Sequence, residues 1–190
     1  MKVLAAVLLS SFMLLAQAAE VAGVKFTEQI DGPGDAKLVL NGAGLRKRLF
    51  FEVYAMGLYL PVRKHKAGEI LTLPGPKRIA IRMLRDVSAE AFTEALIDGL
   101  RRNQSEAEMV RFAPRIKQLT DIMAELKEAK EGMAIDMDWA QGSGLRLVVD
   151  GKPVGAPIVG EDFYRALLSV WLGANPVQDD LKAALLGAKS

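Results

Sequence analysis

Residues 40–60 read Leu40-Asn41-Gly42-Ala43-Gly44-Leu45-Arg46-Lys47-Arg48-Leu49-Phe50-Phe51-Glu52-Val53-Tyr54-Ala55-Met56-Gly57-Leu58-Tyr59-Leu60. Phe50, Phe51, Val53, Tyr54 and Tyr59 make the stretch from Leu49 to Val62 rich in β-preferring and aromatic residues, which predicts a long strand. Just upstream, Ala36 to Leu40 predicts a shorter strand, closed by the glycine-rich Asn41–Gly44 segment. Before that, Val21 to Ile30 is extended in pattern, and Asp31-Gly32-Pro33-Gly34-Asp35 is a strong turn signal. On the other side, Lys77 to Met83 predicts a further strand with Ile79 and Ile81 on one face.

The period then changes. Phe92, Ala95, Leu96, Gly99 and Leu100 fall at helical spacing, predicting an amphipathic helix that starts near Asp86 or Ser88. Ser105-Glu106-Ala107-Glu108 matches a capping box, and Met109, Phe112, Ile116, Leu119, Met123 and Leu126 continue at spacings of three and four. Pro114 falls inside that run, where an interior proline costs about 3 kcal/mol, so a kink or restart is expected there. Strands return at Met133 to Ala140 and Gly144 to Val149, followed by a tight turn at Asp150-Gly151-Lys152. Phe163, Ala166, Leu167, Val170 and Trp171 repeat the helical stripe up to Gly173, and a last short helix covers Asp179 to Leu186. Strands segregated from a helical middle and a helical end predict an α+β domain, a largely antiparallel sheet with helices packed on one face.

The chain has 190 residues, no cysteine and a formal net charge of +2. A chain of this size buries about 70% of its unfolded surface and needs no disulfide or structural metal to hold a core. Without Cys there is no thiol catalysis and no thiolate metal site, and a single histidine excludes a multi-His centre. The 25 Lys and Arg against 23 Asp and Glu do not suggest nucleic-acid binding. Met1-Lys2, the apolar run Val3–Leu15 and Ala16-Gln17-Ala18 together read as a secretory signal peptide, residues 1–18, cleaved after Ala18. That run is shorter than the roughly 17 to 25 residues of a spanning helix, so no stable membrane span is expected once it is removed. In a Gram-negative source the product, one domain over residues 19–190, would be periplasmic.

Most chemistry-bearing side chains have an ordinary structural reading. His65, in Arg63-Lys64-His65-Lys66, reads as a solvated loop histidine with no carboxylate nearby in sequence to orient it as a base. Asp136 and Asp138, two apart on a strand, could pair as catalytic carboxylates but read better as a solvated strand face. Asn41-Gly42-Ala43-Gly44 lacks the nucleotide-binding glycine patterns. Arg46-Lys47-Arg48 could attract an anion or simply keep a strand end soluble.

The segment Leu40–Arg46 followed by Val53-Tyr54-Ala55-Met56-Gly57-Leu58-Tyr59-Leu60 resembles the chalcone isomerase superfamily, which carries a Gly-Gly-Ala-Gly turn, an Arg just after it and an Ala-x-Gly-x-Tyr-Leu strand. The likeness continues through Val87–Leu100, Phe163–Gly173, Pro176 and Leu181-Lys182, and the signal peptide and compact length are similar to the bacterial chalcone isomerase-like branch. It implies helices layered on one side of a sheet, with a ligand cleft between them. It also implies that Arg46 stands where the plant enzymes' substrate-polarising arginine is, and Tyr54 where their strand supplies a threonine. Phe92 and Gly99 stand where those enzymes carry a tyrosine and an asparagine, and Val170 and Trp171 where a threonine and a methionine shape the flavonoid site.

With those polar groups gone, cyclisation of a chalcone is disfavoured, since each lost donor to a developing oxyanion costs about 2.7 to 4 kcal/mol. An Arg with a Tyr instead resembles the fatty-acid-binding members of the fold. The guanidinium offers two parallel donors to a carboxylate, the phenol a third, and Phe92, Val170 and Trp171 would form the cleft wall. The expectation is a non-catalytic, cofactor-free binder of a fatty acid or other amphipathic carboxylate. A cofactor-free intramolecular lyase, with Arg46 as electrophile and Tyr54 as general acid, is the enzyme alternative. An envelope interaction module without a small ligand, packed too tightly for a cleft, is the third. A clamp has one steric requirement. On a straight strand Arg46 and Tyr54 would lie about 26 Å apart, so the chain must reverse between them, although Lys47 to Val53 contains no Gly, Pro, Asn or Asp.

Overall fold

The computed structural model describes residues 18–188; residues 1–17 of the expected signal peptide lie outside that range. In chain order the strands are β1 (Ala19–Val21), β2 (Val24–Phe26), β3 (Gln29–Asp31), β4 (Lys37–Arg48), β5 (Phe51–Leu60), β6 (Lys77–Met83), β7 (Val87–Ser88), β8 (Glu128–Ala129), β9 (Ala134–Ala140), β10 (Gly144–Val149) and β11 (Lys152–Ile158). The helices are α1 (Ala67–Leu71), α2 (Ala89–Asn103), α3 (Glu106–Glu125), α4 (Glu161–Leu172) and α5 (Asp179–Leu185). Seven strands form one antiparallel sheet in the order β11-β10-β9-β6-β5-β4-β3, and this is the expected α+β architecture.

The sheet has two buried faces of unequal depth. Tyr54, Met56 and Leu58 on β5, with Ile79 and Ile81 on β6, join Phe92, Phe112, Phe163 and Trp171 of the helices in the main core. Ala55 and Tyr59 of β5 turn the other way, into a smaller cluster with Phe26, Leu38 and Leu40. A strand buried on both sides reads as a continuous apolar run rather than an alternation, which is the pattern Val53–Leu60 shows.

Three expectations are corrected. First, Asn41–Gly44 does not close a strand: β4 runs through it to Arg48. The glycines are there because α5 lies on the strand. A Cβ on Gly42 would stand 2.1 Å from the Ala184 carbonyl oxygen, and one on Gly44 2.7 Å from the Ala184 Cβ. Second, α3 is continuous through Pro114. The proline lies on the exposed side, and so does Val110, whose carbonyl loses its helical partner to the missing N–H, so water can take that place. Buried Phe112, Leu119 and Met123 hold the opposite side of the helix against the core. Third, Asp136 and Asp138 are not a solvated face. Asp138 is 6% exposed and takes a bidentate pair from Arg78, at 2.6 and 2.7 Å, while Arg82 reaches Asp136 at 2.6 Å. Arg78 stands opposite Asp138 in the β6–β9 register, so the strands are cross-linked by an ionic ladder.

The helix ends follow the sequence closely. Ser88 caps α2 by accepting from the Ala91 N–H, and Ser105 with Glu108 forms the complete capping box of α3. Gly99 on α2 permits a close approach of α4, since a Cβ there would stand 2.6 Å from Val170 Cγ1.

Candidate functional site

The β4–β5 hairpin decides where Arg46 points. The register shifts between Leu40 and Gly42, so Asn41 is an extra residue in β4. Before this bulge Leu38 and Leu40 face the smaller cluster; after it Gly42, Gly44 and Arg46 stand opposite Leu58, Met56 and Tyr54 on the helix side. A one-residue insertion reverses the facing of every later side chain on a strand, so without the bulge Arg46 would project to the other side. Asn41 is itself tied down. Its side-chain amide donates to the Leu185 carbonyl at 2.7 Å and its side-chain oxygen accepts from the Lys64 N–H at 2.7 Å.

The chain reversal that a clamp requires is made by Leu49 and Phe50, with Leu49 in the left-handed region at φ 56°. Arg46 and Tyr54 are consequently direct cross-strand partners. The Tyr54 ring is buried against Phe92, with centroids 6.3 Å apart, and its hydroxyl oxygen accepts from the Trp171 indole N–H at 2.9 Å. Burial pushes the Tyr54 phenol above its ordinary value; the hydrogen bond from Trp171 and the nearby Arg46 guanidinium act in the opposite direction without overcoming it. The phenol is therefore neutral near pH 7, and because the indole supplies its acceptor contact, its own O–H is left to donate.

Arg46 is half-buried and positioned by Gln178, the residue just before α5. The Gln178 side-chain oxygen accepts from Arg46 Nη1 at 3.3 Å and from the Lys47 N–H at 2.8 Å, while its amide nitrogen donates to the Leu45 carbonyl at 3.1 Å. Arg46 Nη1 also donates to the Lys47 carbonyl. Among the described residues no carboxylate pairs with Arg46. Nothing near Arg46 in sequence points to Gln178, more than 130 positions away; only the docking of α5 on β4 joins them.

Arg46, Tyr54, Phe92, Val170 and Trp171 all line one cleft of about 650 Å³ between the hairpin, α2 and the end of α4. That volume is in the range of small-molecule sites. Leu96 and Val177 add apolar lining, and Arg48, Arg85 and Arg102 line the cleft with Arg46, as do Asp86, Glu94 and Asp98. Asp86 and Asp98 are already engaged, by the Glu131 N–H and Arg101 respectively. The arrangement sets the Arg46 and Tyr54 donors beside apolar side chains in a cleft whose lining is both charged and apolar. His65 takes no part in it. It is exposed, and its Nδ1 meets the Leu186 carbonyl at 2.9 Å. Among the described residues there is no cluster of His, Asp or Glu suited to a metal ion.

Across residues 18–187 the sequence matches the family described as chalcone isomerase-like. The chain belongs to that family. The resemblance read from Leu40–Arg46 and Val53–Leu60 is thus shown, and the chalcone isomerase-like fold has a solved counterpart. The crystal structure of a fatty-acid-binding protein from Arabidopsis thaliana superposes with a TM-score of 0.66 at 18% identity, over 90% of this chain and 97% of that one. At that identity the likeness bears on the fold. No curated protein matches the chain in sequence.

Proposed function

We propose that this chalcone isomerase-like protein binds a fatty acid or a similar amphipathic carboxylate without transforming it. The observation that carries this reading is the placement of Arg46 opposite Tyr54, with no carboxylate among the described residues on the guanidinium, in a cleft that Phe92, Leu96 and Val170 also line. The carboxylate would take charge-assisted hydrogen bonds from Arg46 and the Tyr54 O–H, and the tail would lie along Phe92, Leu96 and Val170. The fold shared with a plant fatty-acid-binding protein supports the choice of ligand. An open cleft beside Arg46 also disfavours an interaction module packed too tightly for a ligand. For export, we propose that residues 1–18 are a signal peptide and that the working protein starts at Ala19 in the periplasm; the mass of protein recovered from that compartment checks it.

Mass spectrometry of lipid carried by the purified protein, followed by titration with dissolved fatty acid, tests the clamp. Wild type should carry one fatty acid per chain. Arg46→Ala should bind roughly 10- to 100-fold more weakly, and Tyr54→Phe about fivefold more weakly, as expected for a charged and a neutral hydrogen bond. A wild type that is empty and stays empty when fatty acids are supplied would sink the reading. The enzyme alternative makes a separate prediction, that wild type but not Arg46→Ala accelerates closure of a chalcone over buffer.

A further inference from the structure

The hairpin that brings Arg46 to Tyr54 carries at its tip exposed apolar side chains that the chain reversal itself does not call for. Leu49 and Phe50 at its tip are 84% and 96% exposed, the two most exposed large hydrophobic side chains among the described residues, and Phe51 beside them is 55% exposed. Leu49 also holds φ at 56°, a conformation that glycine or asparagine adopts far more readily than leucine. A tight hairpin turn in water is ordinarily built from residues such as Asn-Gly. Solvation and backbone preference are thus both violated at one point, and such double violations mark function rather than folding.

The charge around the tip is basic. Lys47 and Arg48 are exposed on β4, and the Arg85 guanidinium lies 4.4 Å from the Phe51 ring centroid. The nearby acids are Glu52, opposite Lys47 in the register, and Asp86, which accepts from the Glu131 N–H. Arg48, Leu49, Phe51 and Arg85 also line the cleft, so the tip is continuous with its mouth. We infer that this hairpin tip docks on an anionic phospholipid bilayer. Leu49 and Phe50 enter the boundary between headgroups and acyl chains, while Lys47, Arg48 and Arg85 meet the phosphates. Two side chains at a projecting point cannot supply the roughly 800 Å² per partner of a stable protein interface, but a bilayer deforms around such a point. The purpose, passage of an amphiphile between bilayer and cleft without crossing water, rests on the carboxylate-binding reading above; the docking does not.

Flotation of the protein with vesicles tests this. Wild type should bind vesicles of mixed phosphatidylglycerol and phosphatidylcholine at least tenfold more tightly than vesicles of phosphatidylcholine alone. Phe50→Asp should lose at least tenfold on the anionic vesicles, and Lys47→Gln roughly fivefold. Neither side chain lines the cleft, so both variants should keep the wild-type affinity for dissolved fatty acid and the wild-type melting curve. Phe50→Trp adds a direct reporter, because Trp139 and Trp171 are buried: its emission should shift to the blue when anionic vesicles are added. A wild type that stays unbound, a Phe50→Asp variant that floats as well as wild type, or a wild-type dimer that Phe50→Asp dissociates in the absence of lipid each overturns the docking. Loss of fatty-acid binding with vesicle binding intact instead overturns the cleft reading and leaves the docking standing.

Discussion

Trp171 has one hydrogen-bond donor, and it is directed at the Tyr54 oxygen. Beyond lining the cleft, Trp171 thus orients the phenol and leaves the phenol proton free to donate, as the proposed carboxylate binding needs. Tyr164 shows the opposite case. Its ring stacks on Trp139 with centroids 5.3 Å apart, yet its buried hydroxyl finds no partner among the described residues. An orphaned buried hydroxyl costs free energy that its removal returns, so Tyr164→Phe should raise stability by about 1 kcal/mol, read as a higher urea midpoint at unchanged slope. Arg46, Tyr54 and Phe92 could be singled out from sequence because they fall on motif positions that sequence displays. Gln178 could not, because its contact with Arg46 crosses 132 positions and depends on a helix packed against a strand.

At the scale of elements, the glycines of β4 show how a local signal misleads. Glycine clusters usually mean a turn, but Gly42 and Gly44 clear space for α5 while the strand continues. The obstacle at Gly42 is backbone, which cannot rotate aside. Gly42→Ala should therefore push α5 off the sheet, lower stability by about 1–3 kcal/mol and reduce the melting temperature by several degrees. Because α5 follows directly on Gln178, the same variant should also loosen Arg46. If the protein binds fatty acid as proposed, its affinity, measured well below the melting temperature, should fall although the substitution lies outside the cleft lining. Unchanged affinity would show that Arg46 holds its place without the helix. Where an element is determined by its own residues, the sequence reading was close: β6 and β10 have the expected bounds, and the capping box starts α3 where expected.

For the whole molecule, burial of polar groups sets the response to pH. All three tyrosines of the chain, Tyr54, Tyr59 and Tyr164, are buried, and burial pushes each phenol above its ordinary value of 10.0. Above pH 10 the unfolded chain releases these protons while the folded chain keeps them, so the unfolded state holds fewer protons and stability falls with rising pH. The contribution is fully present below pH 10 and is lost as pH rises through the folded-state values. Buried Lys77 acts with the opposite sign, since desolvation lowers its value from 10.5, but it is one group against three. Tyrosinate absorbance should lag behind that of the urea-unfolded chain as pH rises above 10, and the remainder should appear together with unfolding. A tyrosine that ionises in the folded protein no later than in the unfolded chain would contradict its burial.

The sequence by itself determined the family, the α+β class, the positions of most strands and helices, and the identity of the two polar side chains now found face to face. These follow from short-range causes: side-chain period, capping chemistry and β-preference act over a few residues and are visible in a window of that size. The tertiary structure alone decided the bulge at Asn41 that turns Arg46 toward the helices, the support of Arg46 by Gln178, and the pairing of Asp136 and Asp138 with arginines of a neighbouring strand. It also decided that Leu49 and Phe50 reverse the chain without a turn-forming residue. Each depends on which distant segment lies alongside, and strand register and helix docking are set by packing across the whole sheet.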